Sequence, residues 1–475
     1  MSDQKAAFFE EGMPRPLLAF YGDDFTGSTD VMEALTCGGM PTVLFLKPPS
    51  SDLLKKAFPH IQAFGIAGVS RSLSPEEMEQ ELLEAFSFIQ ASQARVCHYK
   101  ICSTFDSSPE VGSIGRAIDI ALKCFSEQRF IPIVAGVPAL KRYTLFGHHF
   151  ATLNQETYRL DRHPIMSQHP MTPMKESDLR LHLSYQTDLQ FSSVNILELS
   201  SELQMIKQIV DQKVISHPMG LLFDVLDEDR LKKVGQLIWE EAADLDTPLF
   251  VVGSSGIEYG LTEAWQASDA IPLAMPSFNV TPSIDPLLVI SGSCSMLTQS
   301  QIDYALDHGF KGLKVSGEQC IDPLTCADYC LEIIHQATKL IEQGNSVVIY
   351  SAHGPADASI ARIKQRLVSS GLKSTDTSPL IGQALGSMCR EILRQTGIGR
   401  LVVAGGDTSG FVLKELEIYA LEMVTPLTPG GPLCKAYSEH LTFDGLELCL
   451  KGGQVGPVDF FQVCKNNGTD QKERL

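Results

Sequence analysis

The sequence predicts an α/β protein of two domains, with largely parallel sheets and an active-site cleft between the domains. Three observations carry this. The chain has 475 residues, too many for one hydrophobic core. Short β-like runs alternate with amphipathic helical patterns along most of it, the rhythm of βαβ units. One stretch, 267–285, breaks the rhythm with Pro272, Pro276 and Pro282, few charges and no period, and the rhythm restarts after it. The expected layout is a flexible N-terminus (1–16), an N-terminal domain (17–266), a linker (267–285), a C-terminal domain (286–465) and a disordered tail (466–475).

The first strand is the apolar run that begins at Leu17 and ends in Asp23 and Asp24, with Thr26 to Ser28 opening a helix. In open α/β sheets, ligands bind beyond the carboxyl ends of strands, close to helix N-termini. Strands follow at 42–46 and 63–68, the latter running into Val69-Ser70-Arg71-Ser72. Ser74-Pro75-Glu76-Glu77 starts a helix to about residue 93, with serine as cap and acids at the positive end. A strand at 96–100 ends in Lys100; a helix at 115–126 and a strand at 131–135 come next. The stretch 146–185 is rich in His, Met and Pro, lacks a period and reads as a long loop. Strands at 194–197, 220–224 and 249–253 and helices at 203–214 and 229–243 resume the pattern.

In the second half, strands are expected at 286–290, 312–315, 346–351, 401–404 and 422–426, with helices at 297–307, 327–343 and 382–396. The segment 439–463 reads as a closing hairpin around Gly452-Gly453. Three glycine-rich turns each follow a strand: Ser291-Gly292-Ser293-Cys294-Ser295, Gly405-Gly406-Asp407-Thr408-Ser409-Gly410, and Gly452-Gly453-Gln454-Val455-Gly456. Such turns let backbone N–H groups approach a phosphate. Neither a P-loop of the GxxxxGK[ST] type nor a GxGxxG dinucleotide fingerprint is present.

Charge narrows the partners. Thirty-eight Lys and Arg against 57 Asp and Glu give −19, a poor match for nucleic acid or an anionic membrane. No apolar stretch nears the ~18–20 residues that span a bilayer, and the first residues lack the form of a signal peptide. Twelve scattered cysteines without a CxxC pair fit reduced thiols in a cytoplasm. His148, His149, His163 and His169 match no zinc spacing, so no metal ligands are assigned.

Taken together, Asp23-Asp24-Phe25-Thr26-Gly27 with Asp30, Lys100 with Ser103-Thr104, His169-Pro170-Met171-Thr172-Pro173-Met174, Ser291-Gly292-Ser293 and Gly405-Gly406-Asp407-Thr408-Ser409 resemble the four-carbon acid sugar kinases. The match runs in order through nearly the whole chain. The resemblance implies an N-terminal domain for an acid sugar, a C-terminal domain for ATP with Mg²⁺, and phosphate transfer to a hydroxyl of threonate, erythronate, 3-oxo-tetronate or 3-oxo-isoapionate. By matching position it implies substrate contacts at Asp24, Arg71, Lys100, Ile101, Cys102 and Ser103. It also implies nucleotide contacts at Ser295, Gly405, Gly406, Gly453, Gln454, Val455 and Gly456; Ser293, Asp407, Thr408 and Ser409 join them from the glycine-turn reading.

Asp23 or Asp24 is expected to orient the hydroxyl and take its proton, and Arg71 to pair bidentately with the substrate carboxylate. Phe105-Asp106 stands where many members carry Leu-Arg-Gly, so an expected arginine is missing. A homodimer is the expected assembly. The rival readings are a metal-dependent sugar-phosphate hydrolase or aldolase using Asp23 and Asp24 as ligands, and a non-catalytic sugar-acid binding protein.

Overall fold

In the computed structural model the chain divides into two compact units, residues 1–276 and 277–475. The structure describes residues 15–466 except 60, 154, 170, 216–218, 269–270, 272, 274–277, 279–281, 370 and 373–376. Most of the expected flexible N-terminus, nearly all of the expected tail and half of the linker lie outside the described residues, as does Pro170.

The first unit carries strands β1 (Leu18–Gly22), β2 (Thr42–Phe45), β3 (Ala63–Ala67), β4 (Val96–Lys100), β5 (Ile131–Val134), β6 (Arg142–Leu145), β7 (His148–Leu153), β8 (Glu156–Arg159), β9 (Phe191–Val194), β10 (Gly220–Phe223) and β11 (Leu249–Gly253). Eight of them form a parallel array in the order β2-β3-β1-β4-β11-β5-β10-β9. Strands buried on both faces read as continuous apolar runs, and β1, β3, β4 and β11 are buried at every position. Below the sheet, Phe86 meets Tyr21, Tyr99, Phe125 and Phe250 edge-on at 5.4–6.2 Å between ring centres, a geometry rings prefer.

The order reverses at β1. The chain places β2 and β3 on one side of it and β4 on the other, which makes the β1 end a topological switch point. Register brings the relevant ends level, since Gly22 lies opposite Ala67 and Lys100, and Lys100 opposite Gly253. The helix Pro75–Ser92 begins with a complete capping box between Ser74 and Glu77.

The second unit has β12 (Leu288–Ser291), β13 (Lys311–Lys314), β14 (Val347–Tyr350), β15 (Arg400–Ala404), β16 (Ile418–Thr425), β17 (Leu433–Ser438) and β18 (Glu447–Lys451). The order is β13-β14-β12-β15-β18-β17-β16, parallel as far as β18, with β17 antiparallel to both its neighbours. Here the switch point lies between β12 and β15. Ser291 sits level with Ala404, and Ala404 with Lys451.

Two expectations are corrected. The long loop at 146–185 instead holds much of a small antiparallel sheet, β6-β7-β8, and a helix Leu179–Ser184 capped by Asp178. Its strands are mostly half-buried and mix polar with apolar residues, so no period of two stands out. The closing hairpin at 439–463 is a strand followed by a helix, Phe460–Asn466. Phe460, Phe461 and Cys464 are all buried against Leu287, Val289 and Ile302, and that spacing is helical. The hairpins of this unit are β16–β17 and β17–β18. Strand β17 and the helices Gly256–Ser268 and Ala358–Ser369 went unread in the sequence.

Candidate functional site

Asp24 leaves the end of β1 to become the N-cap of the helix Phe25–Cys37. Its Oδ1 accepts from the Gly27 N–H at 2.8 Å and its Oδ2 from the Thr26 hydroxyl at 2.9 Å. Asp23 stays in line with the strand, and its N–H donates to the Lys100 carbonyl. Adjacent residues on a strand point opposite ways, yet here both carboxylates reach one guanidinium because the cap conformation turns Asp24 back. Arg71 donates to Asp23 through Nε (3.1 Å) and Nη2 (2.6 Å) and to Asp24 through Nη2 (2.9 Å), with Nη1 in ion-pair contact with Asp24 at 2.8 Å.

In the structure Arg71 is engaged within the protein rather than left open for the expected substrate contact. Its fork is filled by the protein's own carboxylates, so it organises the pair and has no bidentate face left for a substrate anion. The two carboxylates differ. Burial raises the Asp23 pKa and the Asp24 charge adds to this, against the pull of Arg71. Burial also pushes Asp24 up, but Arg71, Lys100 and the hydrogen bonds from Thr26 and Gly27 outweigh it, and Asp24 ends below the usual carboxylate range. The Asp24 side chain is 23% exposed and that of Asp23 3%, so Asp24 is the member a ligand can reach.

Lys100 is buried at the end of β4, with Nζ 3.8 Å from Asp30 and close enough to Gly27 that a Cβ there would stand 3.0 Å from it. Beyond it the Ile101 side chain is wholly buried and leaves only backbone to a ligand, whereas Cys102 and Ser103 are half-buried. Cys102 Sγ lies 2.9 Å from the Thr104 hydroxyl, which donates to Asp106.

The small sheet holds this loop. His149 on β7 is buried, with Nε2 2.8 Å from the Ser103 carbonyl and Nδ1 2.9 Å from the Thr144 hydroxyl. A carbonyl only accepts, so Nε2 carries the proton and Nδ1 accepts from Thr144. Burial holds His149 and His182 down at about 4. Their folded pKa lies below the unfolded 6.5, so the unfolded chain binds more protons between these values. The stability these neutral rings contribute is present above pH 6.5 and is lost as pH falls towards 4. Each accounts for up to about 3 kcal/mol. Urea melts from pH 7 to 4 should show the decline, and His149→Gln should remove part of its slope; an unchanged slope contradicts the assignment.

In the second unit the three glycine turns converge. The Gly292 N–H donates to the Ala404 carbonyl and the Gly405 N–H to the Lys451 carbonyl, chaining the ends of β12, β15 and β18. Ser295 caps the helix Met296–Asp307, and its hydroxyl donates to the Gly453 carbonyl; the Thr298 hydroxyl donates to the same carbonyl at 3.1 Å. Gln301 straps Val455 and Pro457 at 3.0 and 2.9 Å. The packing leaves no room for side chains. A Cβ on Gly292 would lie 2.1 Å from Thr408 Oγ1, and one on Gly453 2.9 Å from Ser293 Oγ. Gly405 has φ +124°, a conformation that favours glycine. Gly406, at the N-terminus of the helix Gly406–Glu415, faces open space.

The remaining residues of these turns divide. Thr408 is buried against Gly292, and the Ser409 hydroxyl is spent on the Gly405 carbonyl. Asp407 is exposed and accepts from Ser378 at 2.5 Å. Gln454 is exposed, and Val455 and Gly456 are half-buried.

Lys451, which sequence reasoning missed, closes this cradle. It is fully buried, its Nζ donates to Thr298 Oγ1 at 3.2 Å, and no carboxylate pairs with it among the described residues. Burial lowers its pKa to about 8. A lone lysine ending an apolar strand before a glycine turn was the available signal, and Lys100 is its counterpart in the first unit. A buried ammonium without a carboxylate, near the positive end of a helix, is electrostatically costly on its own. Among the described residues no three His, Cys, Asp or Glu side chains converge as metal ligands do. No helix among them is long and apolar enough to cross a membrane.

Comparison with known proteins gives a consistent picture. A family described as a sugar-binding N-terminal domain matches residues 18–261, and one described as a nucleotide-binding C-terminal domain matches 288–461. The chain is 41% identical to a 3-oxo-isoapionate kinase of Paraburkholderia graminis, over 94% of each chain. It is 30% identical to a 3-oxo-tetronate kinase of Pseudomonas fluorescens, over 94% of this chain and 96% of that one. A crystal structure from Salmonella typhimurium LT2 superposes with a TM-score of 0.74 at 25% identity, covering 94% of this chain and 98% of the other.

Proposed function

Since the chain belongs to the four-carbon acid sugar kinase family, we propose that it transfers the γ-phosphate of ATP to a hydroxyl of a sugar acid of the 3-oxo-isoapionate or 3-oxo-tetronate type. The observation that carries the nucleotide half is the Lys451 cradle. Three glycine turns, two helix N-termini and a buried ammonium lacking a carboxylate suit a polyphosphate. The tight packing of Gly292 on Thr408 and of Gly453 on Ser293 holds the turns together, and the open space at Gly406 supports a phosphate approaching the backbone there. Mg²⁺ would come with the nucleotide and neutralise charge on its phosphates.

On the acceptor side, Asp24 receives the substrate hydroxyl. Phosphoryl transfer through a loose transition state asks mainly for positioning, so a carboxylate of low pKa held by Arg71 can serve. Arg71 also weighs against the hydrolase reading: it occupies the space between Asp23 and Asp24 that a bridging metal would need. A coupled ADP-release screen over C4 and branched C5 sugar acids and their 3-oxo forms tests the proposal. Saturable, acid-dependent ADP release is expected; turnover of sugar phosphates without ATP would overturn it.

The cradle makes its own prediction. Gly453→Ala presses a methyl against Ser293 and Ser295, and displacing the turn should raise the KM for ATP about 10-fold or more. The KM for the sugar acid should hold. Initial-rate kinetics with each substrate varied in turn decide it, and an unchanged KM for ATP contradicts the cradle.

A further inference from the structure

Resting on the kinase reading, the first unit poses a problem: an acid sugar brings a carboxylate, and the expected arginine for it is engaged elsewhere. Arg71 is closed on Asp23 and Asp24, and Lys100 sits beside Asp30 and the Asp24 cap. Arg116, Arg129 and Arg180 each pair with a carboxylate of their own.

Arg142 does not. It begins β6, and its Nη1 donates to the Leu140 and Lys141 carbonyls at 2.8 and 3.2 Å. Its Nε is buried with no hydrogen-bond partner, and no carboxylate lies within ion-pair distance among the described residues. Arg142 and Thr144 share one face of β6, because side chains alternate along a strand. Thr144 lies opposite His149, whose ring donates to Ser103, so that face looks onto the loop after Lys100. The Arg142 charge acts on Cys102 and Asp106 of that loop, and burial pulls its pKa down. A half-buried guanidinium with a buried, unpartnered Nε–H is costly unless an acceptor completes it. A carboxylate fits the fork better than any other small anion except phosphate.

We propose that Arg142, supplied by the small antiparallel sheet, binds the carboxylate of the sugar-acid substrate and takes the place of the arginine that the Phe105-Asp106 sequence lacks. The small sheet then selects acid over neutral sugar, and His149 positions the loop that forms the other wall.

The test uses the full-length enzyme and pairs each sugar acid that the wild type phosphorylates with its neutral counterpart, in which the carboxylate is a primary alcohol. In the wild type, kcat/KM should favour the acid. In Arg142→Ala that ratio should fall about 10- to 100-fold through a raised KM for the acid, while the KM for ATP stays. Arg142→Lys, which keeps the charge but not the fork, should fall between. Calorimetric binding of the acid without nucleotide is the second arm, with thermal melts to confirm folding. If Arg142→Ala keeps the acid-over-neutral ratio, or binds the acid as the wild type does, the inference is overturned. If the wild type binds the acid through Arg142 but releases no ADP, the kinase reading fails and the Arg142 assignment stands. If Asp106→Asn rather than Arg142→Ala removes the preference, Arg142 serves only as its long-range partner and the inference is wrong.

Discussion

Asp24→Asn should lower kcat by about 10²- to 10⁴-fold, the range for losing a positioned acid–base group, with the KM for ATP little changed. The carboxylate has three hydrogen-bond donors, from Gly27, Thr26 and Arg71 Nη2, and an ion-pair contact with Arg71 Nη1. Of these the Thr26 hydroxyl can rotate away without breaking the cap and leave an Oδ2 lone pair for a substrate hydroxyl. An amide keeps the cap through its oxygen. It loses the negative charge and presents a donor to Arg71 where an acceptor is required. The fold should therefore survive, because the helix start still has a competent cap. Asp23→Asn is the control. Asp23 is buried behind Arg71, so its substitution should act through the geometry of Asp24 and cost less turnover than loss of Asp24 itself. Steady-state kinetics of the two variants, with melts, check this. Equal or greater loss in Asp23→Asn would exchange the roles.

Arg71→Ala should be strongly destabilising. It leaves two adjacent carboxylates facing each other at a strand end with Lys100 as the nearest cation. Breaking a buried pair by removing one partner costs about 3–5 kcal/mol. At about 2–4 °C per kcal/mol, the melting temperature should drop by on the order of 10 °C. The sign of the pH dependence follows from Asp23. Its folded pKa is already raised and rises further without Arg71, so the folded state binds the extra proton and stability increases as pH falls. The deficit of Arg71→Ala should therefore be smaller near pH 5 than at pH 8. Denaturant melts of wild type and variant at both pH values test this; a deficit that grows on acidification contradicts it. Arg71→Ala with Asp23→Asn should recover part of the loss, since the two residues touch and their effects are not additive.

The fold was legible where burial dictates composition. Apolar runs such as Leu18–Gly22 and Leu249–Gly253, and the capped helix after Ser74, announce themselves because each strand is buried on both faces and each helix has one dry side. The small sheet was not legible, because β6 and β8 are short and partly wet. The last helix was misread because Gly452-Gly453 suggests a turn between strands, while Phe460, Phe461 and Cys464 bury with helical spacing only in three dimensions.

The candidate site divides the same way. Glycine turns and strand-end carboxylates leave local marks, and the structure brings Ser293, Ser295, Gly405, Thr408 and Gly453 together. The pairing of Arg71 with Asp23 and Asp24 left none, because it depends on Asp24 turning out of the strand into a cap. Arg142 is placed by the register of a sheet that no short-range pattern revealed, on the same strand face as Thr144.

The central claim is that the two domains together move phosphate from ATP to a hydroxyl of a sugar acid. Phosphorus NMR of a reaction of full-length protein with ATP, Mg²⁺ and 3-oxo-isoapionate or 3-oxo-tetronate tests it most directly. The account predicts a phosphomonoester resonance coupled to sugar protons, growing in step with ADP and at least about 100-fold slower in Asp24→Asn. Inorganic phosphate appearing with ADP and no sugar ester would contradict it.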